Sequence, residues 1–141
     1  MFRVAYRSNL SAGVGEAEIA AIVAKAAEDN AAFGLCGAWL MNKRRCLGVL
    51  EGEPRKVREV VERIWTDRRH SDFVVLTMEI SEEGRFSDWP FRFIRPGDLA
   101  SDEALAAHSG VYWLGKLAGG LPKFFDEDAP DQWPEPGRRK H

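Results

Sequence analysis

The stretch FGLCGAWLMNKRRCLGVLEGEP, residues 33–54, decides how the rest of the chain can fold. Its first part, Phe33 to Met41, is nearly continuous in apolar residues, as a central strand buried on both faces would be. Asn42-Lys43-Arg44-Arg45 reads as a polar tight turn, and Cys46 to Glu51 returns as the partner strand of a hairpin. Gly52-Glu53-Pro54 then opens a helix, because proline suits a first turn whose N–H has no helical partner anyway. That helix carries Val57, Val60, Val61 and Ile64 on one face. Upstream, Phe2, Val4 and Tyr6 alternate with Arg3, Ala5 and Arg7 as a first strand, broken from Asn9 to Gly15 by Ser and Gly. Ile19, Ile22, Val23 and Ala26 recur at helical spacing, and Gly34 stops that helix. Downstream, Val74, Leu76, Met78 and Ile80 alternate as a fourth strand. Trp89, Phe91 and Phe93 alternate as a fifth, which Pro90 assigns to an edge or a bulge.

The resulting order is β-α-β-β-α-β-β. Right-handed crossovers place both helices on one face of a mixed sheet, the α+β arrangement of ferredoxin-like folds. Strands apolar on both sides require a cover for the opposite face. Ser101 is the expected N-cap of an Ala/Leu-rich segment, broken at Gly110, that would form a helical hairpin there. The chain thus divides into a core domain at residues 1–97, a helical extension at 98–121 and an irregular tail at 122–141. The tail carries four prolines and the basic end Arg138-Arg139-Lys140.

Composition narrows the function. The 141 residues fit one domain, and 45% hydrophobic with 30% charged residues argues against wholesale disorder. A net charge of −2 gives no global attraction to nucleic acid or anionic membrane, and neither partner is expected. Cys36 and Cys46 are too few for a disulfide scaffold, and His70, His108 and His141 show no metal-ligand spacing. No apolar run approaches the length of a membrane span, and Met1-Phe2-Arg3-Val4 opens no signal-peptide core, so a cytoplasmic protein is expected. Neither GxSxG, a P-loop, GxGxxG nor HExxH occurs. No catalytic residue is assigned and no enzymatic activity is expected. A loose likeness of Asn9 to Gly15 to the loop of acylphosphatase-like enzymes lacks the glycine-rich pattern and arginine geometry of that class.

Six short motifs carry a more specific signal: Tyr6-Arg7-Ser8, Asn30, Gly34-Leu35-Cys36-Gly37, Val49-Leu50-Glu51-Gly52, Asp67-Arg68-Arg69-His70 and Arg85-Phe86-Ser87-Asp88-Trp89. In this order and spacing, over roughly residues 2–95, they resemble the BLUF family of flavin-based blue-light sensors. The resemblance implies FAD or FMN held between the two helices. It implies that Tyr6 donates an electron and a proton to the excited ring, and that the Asn30 amide pairs with the pyrimidine edge. It places Arg63 and His70 near the flavin, and Trp89 as the strand-five tryptophan that moves or shields the pocket. Read without the resemblance, these are an inward strand aromatic, a helix-end Asn, a solvated Arg, a helix-capping His and a core Trp.

Two departures stand beside the matches. The family's relay glutamine lies four positions before the glycine of Leu-Glu-Gly, which is Gly48 here, and the family's methionine two residues after the tryptophan is Phe91. Glycine has no side chain to bridge tyrosine and flavin, so the usual photocycle is expected to be absent or altered. Micromolar binding is worth about 8 kcal/mol, against about 0.5–1.5 kcal/mol for one hydrogen bond, so flavin binding should survive the loss. As structural alternatives, Gly48 would mark a bulge or make room for Trp39 or Trp65. The expected function is a non-enzymatic, flavin-binding BLUF-type sensor whose state is read by a protein partner or another copy in a homo-oligomer. The competing reading is a degenerate, flavin-free interaction module.

Overall fold

A computed structural model describes residues 1–137; Arg138-Arg139-Lys140 and His141 lie outside the described residues. The chain forms β1 (Phe2–Leu10), α1 (Glu16–Phe33), β2 (Cys36–Asn42), β3 (Arg45–Gly52), α2 (Pro54–Thr66), β4 (His70–Ile80) and β5 (Arg92–Ile94). Four short helices follow: α3 (Asp98–Ser101), α4 (Glu103–Ala106), α5 (Ser109–Lys116) and α6 (Leu121–Phe124). The strands lie in the order β4-β1-β3-β2-β5, with β2 and β5 parallel and the other pairs antiparallel. This is the expected mixed α+β sheet. The β2–β3 hairpin turns at Lys43, whose positive φ of 57° closes the tight connection.

The two crossover helices sit on their face in different ways. Helix α2 places Val57, Val60 and Val61 in a cluster with Phe2, Val4, Leu35 and Leu50, and is firmly seated. Helix α1 ends on Gly34, whose φ of 66° is the left-handed cap. Only Ile19 and Asn30 of its residues are buried. Ile22, Val23 and Ala26, which follow Ile19 on the same face, stay half-buried. So α1 stands partly off the sheet.

The opposite face is covered by the extension. Ala5, Leu40, Leu47 and Val49 of the sheet pack there against Phe86, Leu105, Val111, Leu114 and Phe124. The cover is a run of short helices rather than a hairpin. Asp102, not Ser101, caps its second helix by accepting from the Leu105 N–H, while Ser101 closes α3. Beyond α6 the chain returns along the sheet. Trp133 donates its indole N–H to the Cys46 carbonyl at 2.9 Å and its backbone N–H to Asn9 Oδ1 at 2.7 Å. Residues 122–137 are therefore tied to β1 and β3 rather than loose. Strand β5 is also shorter than the alternation of Trp89, Phe91 and Phe93 implies, because Pro90 stops regular pairing before Arg92.

A buried charge joins the strands to this cover. Glu51, fully buried, accepts from Arg3 Nε at 2.9 Å and from the backbone N–H groups of Arg85 and Phe86 at 3.1 and 2.6 Å. Arg3, itself 2% exposed, also donates to Glu79 at 2.7 Å. Removing one member of such a pair leaves the other charge and two amide donors without compensation. Glu51→Ala should cost about 3–5 kcal/mol in urea unfolding; a loss below about 1 kcal/mol, the ceiling for most exposed pairs, would contradict this role.

Candidate functional site

Because α1 stands off the sheet, a slot remains between it and α2. Its volume is about 190 Å³. A single water needs roughly 10–15 Å³ measured this way, so the slot is far more than a packing defect. Ile22 and Ala26 of α1 form one wall, Val60 and Ile64 of α2 the other, and Trp39 and Leu50 line the sheet side. All four residues assigned to a cofactor from the sequence, Tyr6, Asn30, Arg63 and His70, line this one slot. Phe91 lines it too. The helical-wall residues, and Lys25, Asp29, Asp67 and Arg69 at the slot, were not singled out from sequence as binding residues. The 3.6-residue spacing of Ile19, Ile22 and Ala26 was their signal.

Asn30 is 1% exposed, held in the last turns of α1. Its Nδ2 donates to the Pro90 carbonyl at 2.7 Å. Since that carbonyl can only accept, the orientation of the amide is fixed, with Oδ1 as the end available to a donor. His70 opens β4 instead of capping α2, which ends at Thr66. Its Nδ1 lies 3.0 Å from Ser8 Oγ, and burial pushes its pKa below the ordinary value, so the ring is neutral at pH 7. Arg63 is half-exposed at the rim, paired with Glu59 at 2.9 Å and standing over the Phe33 ring. Each rim cation has an acidic partner: Lys25 bonds Asp29 at 2.8 Å and Arg69 bonds Asp67 at 2.6 Å.

Tyr6 explains what Gly48 does. The two residues face each other in the β1–β3 ladder, and Gly48 faces Trp39 on its other side. A Cβ built at Gly48 would run into the end of the Tyr6 ring, 2.5 Å from its hydroxyl oxygen. The tyrosine therefore lies over the glycine, in space that a side chain at position 48 would take. The register on both sides of Gly48 is continuous, so no bulge sits there, and Trp65 is 65% exposed and does not fill the gap. The occupant is the tyrosine. Its ring stacks on Phe73, with centroids 5.1 Å apart. Burial raises the pKa of the phenol, and its hydroxyl makes no hydrogen bond among the described residues.

Trp89 departs from expectation as well. It lies outside the slot lining and packs on the extension side, its ring stacked on His108 at 3.7 Å, with His108 Nε2 3.1 Å from Asp88. Phe91 takes the slot-side place instead.

The residues present fit a flat, apolar heterocycle with a polar rim. Two helices offer opposed aliphatic walls, the α1 face is incompletely buried without a partner, and a fixed amide and an unbonded phenol converge on the same space. Among the described residues, no group of acids, histidines and cysteines could hold a metal, and no helix is long and apolar enough to cross a membrane.

Comparison with known proteins places the fold in a family. Solved structures similar to the chain include "BlrB - a BLUF protein" in its dark state, at 26% identity over 78% of this chain and 86% of that one, TM-score 0.66. Klebsiella pneumoniae BlrP1 with FMN and cyclic diGMP is 28% identical over 74% of this chain and 28% of that one, TM-score 0.66. A bacterial light-regulated adenylyl cyclase is 25% identical over 75% of this chain, TM-score 0.63, and the chain spans 32% of its length. No curated protein matches. The family model described as BLUF, sensors of blue-light using FAD, matches residues 1–92, and the chain therefore belongs to the BLUF family.

Proposed function

We propose that this protein binds a flavin, FAD or FMN, in the slot between α1 and α2 and senses blue light without the amide relay of its relatives. The observation that carries the reading is the half-buried apolar face of α1 above a slot onto which Asn30 and Tyr6 converge. When bound, the flavin supplies the blue absorption and, once excited, an electron acceptor. The chain's residues do the rest. Ile22, Ala26, Val60 and Ile64 clamp the ring faces and exclude water, and the Asn30 Oδ1 end accepts from the polar edge. Tyr6 holds its proton beside the slot, since burial of the residue raises its pKa.

What the chain does not offer is a side chain between Tyr6 and the ligand at position 48. In a glutamine-switched site, the amide stores the light signal by exchanging hydrogen bonds. Here the Tyr6 ring fills that space, and no amide is in position to flip. The proposed output is non-enzymatic and passes by contact to a second copy or a downstream protein in the cytoplasm. A flavin-free interaction module is the outcome if the slot fails to hold flavin.

Two measurements follow from the site. Protein purified and incubated with FAD and, separately, with FMN should keep a structured flavin absorption band after removal of free ligand in at least one of the two. Asn30→Ala should weaken retention by about tenfold, the equivalent of roughly 1.4 kcal/mol, and, because it also removes the donor to the Pro90 carbonyl, should lower stability by about 0.5–1.5 kcal/mol; wild-type protein that stays colourless would overturn the reading. The second concerns pH. His70 has a folded pKa below its unfolded value of about 6.5, so the folded state favours the neutral ring. Its contribution is complete above that unfolded value and is lost as pH falls through it towards the depressed folded one. Urea unfolding should show wild-type stability dropping across this window and His70→Gln with a flatter profile; parallel profiles would contradict the assignment.

A further inference from the structure

We propose that Trp65, Phe73 and Tyr6 form an electron path from the protein surface to the slot, with Trp65 the residue that refills Tyr6 after light-driven oxidation. This rests on a flavin occupying the slot as proposed above. The three side chains come from α2, β4 and β1 and meet face to face. Tyr6 and Phe73 have centroids 5.1 Å apart at 21°, and Phe73 and Trp65 have centroids 5.9 Å apart at 15°. Their ends differ in environment: Tyr6 is 7% exposed and lines the slot, while Trp65 is 65% exposed. The stack therefore connects solvent to the ligand space in two ring contacts.

The chemistry sets the direction. Electronic coupling falls steeply with distance, and the two stacked contacts, with centroids 5.1 and 5.9 Å apart, join Tyr6 to Trp65 through one intervening ring. Phe73 has no low-lying oxidised state and acts as a bridge rather than a stopping point. A phenol becomes easy to oxidise only when its proton can leave. The Tyr6 hydroxyl makes no hydrogen bond among the described residues, and burial opposes its ionisation. Oxidised Tyr6 is thus a stronger oxidant than an indole, and the electron deficiency moves outward to Trp65. Trp39 lies across Gly48 from Tyr6, but it is 3% exposed and packs at a tilt against Phe93 and His70, so it cannot be replenished from solution.

The balance closes with a thiol as the reductant. Each photon takes one electron from Tyr6 onto the excited ring system; Trp65 restores Tyr6, and a thiol in solution restores Trp65, giving up its S–H hydrogen as an electron and a proton. Two such steps join two thiols through a new S–S bond and leave two electrons and two protons on the flavin. In place of a hydrogen-bond switch, the site would accumulate reduced cofactor.

The test uses the full chain loaded with FAD, freed of unbound FAD and illuminated anaerobically with dithiothreitol. Wild type should bleach its flavin band, and Trp65→Phe and Phe73→Leu should bleach slower by an order of magnitude or more at equal FAD occupancy. Peptide mapping after aerobic illumination gives a second readout. Oxygenated Trp65 should build up in wild type and not in Tyr6→Phe, with Tyr112, 59% exposed and outside the stack, as internal reference. Retained FAD with equal bleaching rates, or Trp65 oxidation independent of Tyr6, overturns the path alone. Failure of wild type to retain either FAD or FMN overturns the flavin reading, and the path with it; where only FMN is retained, the same test is run with FMN.

Discussion

Tyr6 and Gly48 oppose each other across the β1–β3 ladder, and the aromatic ring lies where a side chain on the opposite residue would stand. Everything specific to this site depends on that exclusion. A hydrogen at position 48 lets the phenol settle on the sheet, stack on Phe73 and sit buried without a bonding partner among the described residues. A longer side chain there would displace the ring and take its place at the ligand. The same backbone register can therefore hold an amide between tyrosine and flavin or a bare tyrosine, but not both in these positions. The choice is steric before it is chemical.

The two faces of the sheet are finished differently. The extension face is closed by aliphatic and aromatic packing and by the buried Arg3–Glu51 pair, whose carboxylate also orders the backbone at Arg85 and Phe86. Trp133 adds a strap along β1 and β3 that Asn9 holds through both its amide atoms. On the helical face, α2 is seated and α1 is not. An apolar helix face left half-exposed loses burial worth about 25 cal/mol per Å². A flat ligand inserted beneath it would recover part of that energy. The extension face is closed by packing, and the helical face keeps the slot between α1 and α2.

Much of this was legible in the sequence because it rests on periodicity. Alternation in Phe2–Tyr6, the helical spacing from Ile19 to Ala26 and the hairpin around Asn42–Arg45 led to the sheet and both helices. The slot residues Tyr6, Asn30, Arg63 and His70 came from a family resemblance, and the fold brings them to one place. What escaped depended on contacts between distant segments. Trp89 alternates with Phe91 and Phe93 in a way that mimics one strand face, yet Pro90 interrupts pairing and the Trp89 ring turns to His108, 19 residues later. Nothing local announces that Trp133 will close on Cys46 and Asn9. The space above Gly48 could be given to Trp39 or Trp65 by composition alone; only the register of β1 against β3 gives it to Tyr6.

The central claim is that the Tyr6 ring, seated on Gly48, takes the place of a switchable amide. A light-minus-dark absorption spectrum of the FAD-loaded protein, recorded beside Gly48→Gln, tests it most directly. The account predicts no lasting red shift of the flavin band in wild type, and a red shift in Gly48→Gln only as the tyrosine is pushed off the glycine. A stable, reversible red shift in the wild-type protein would contradict it.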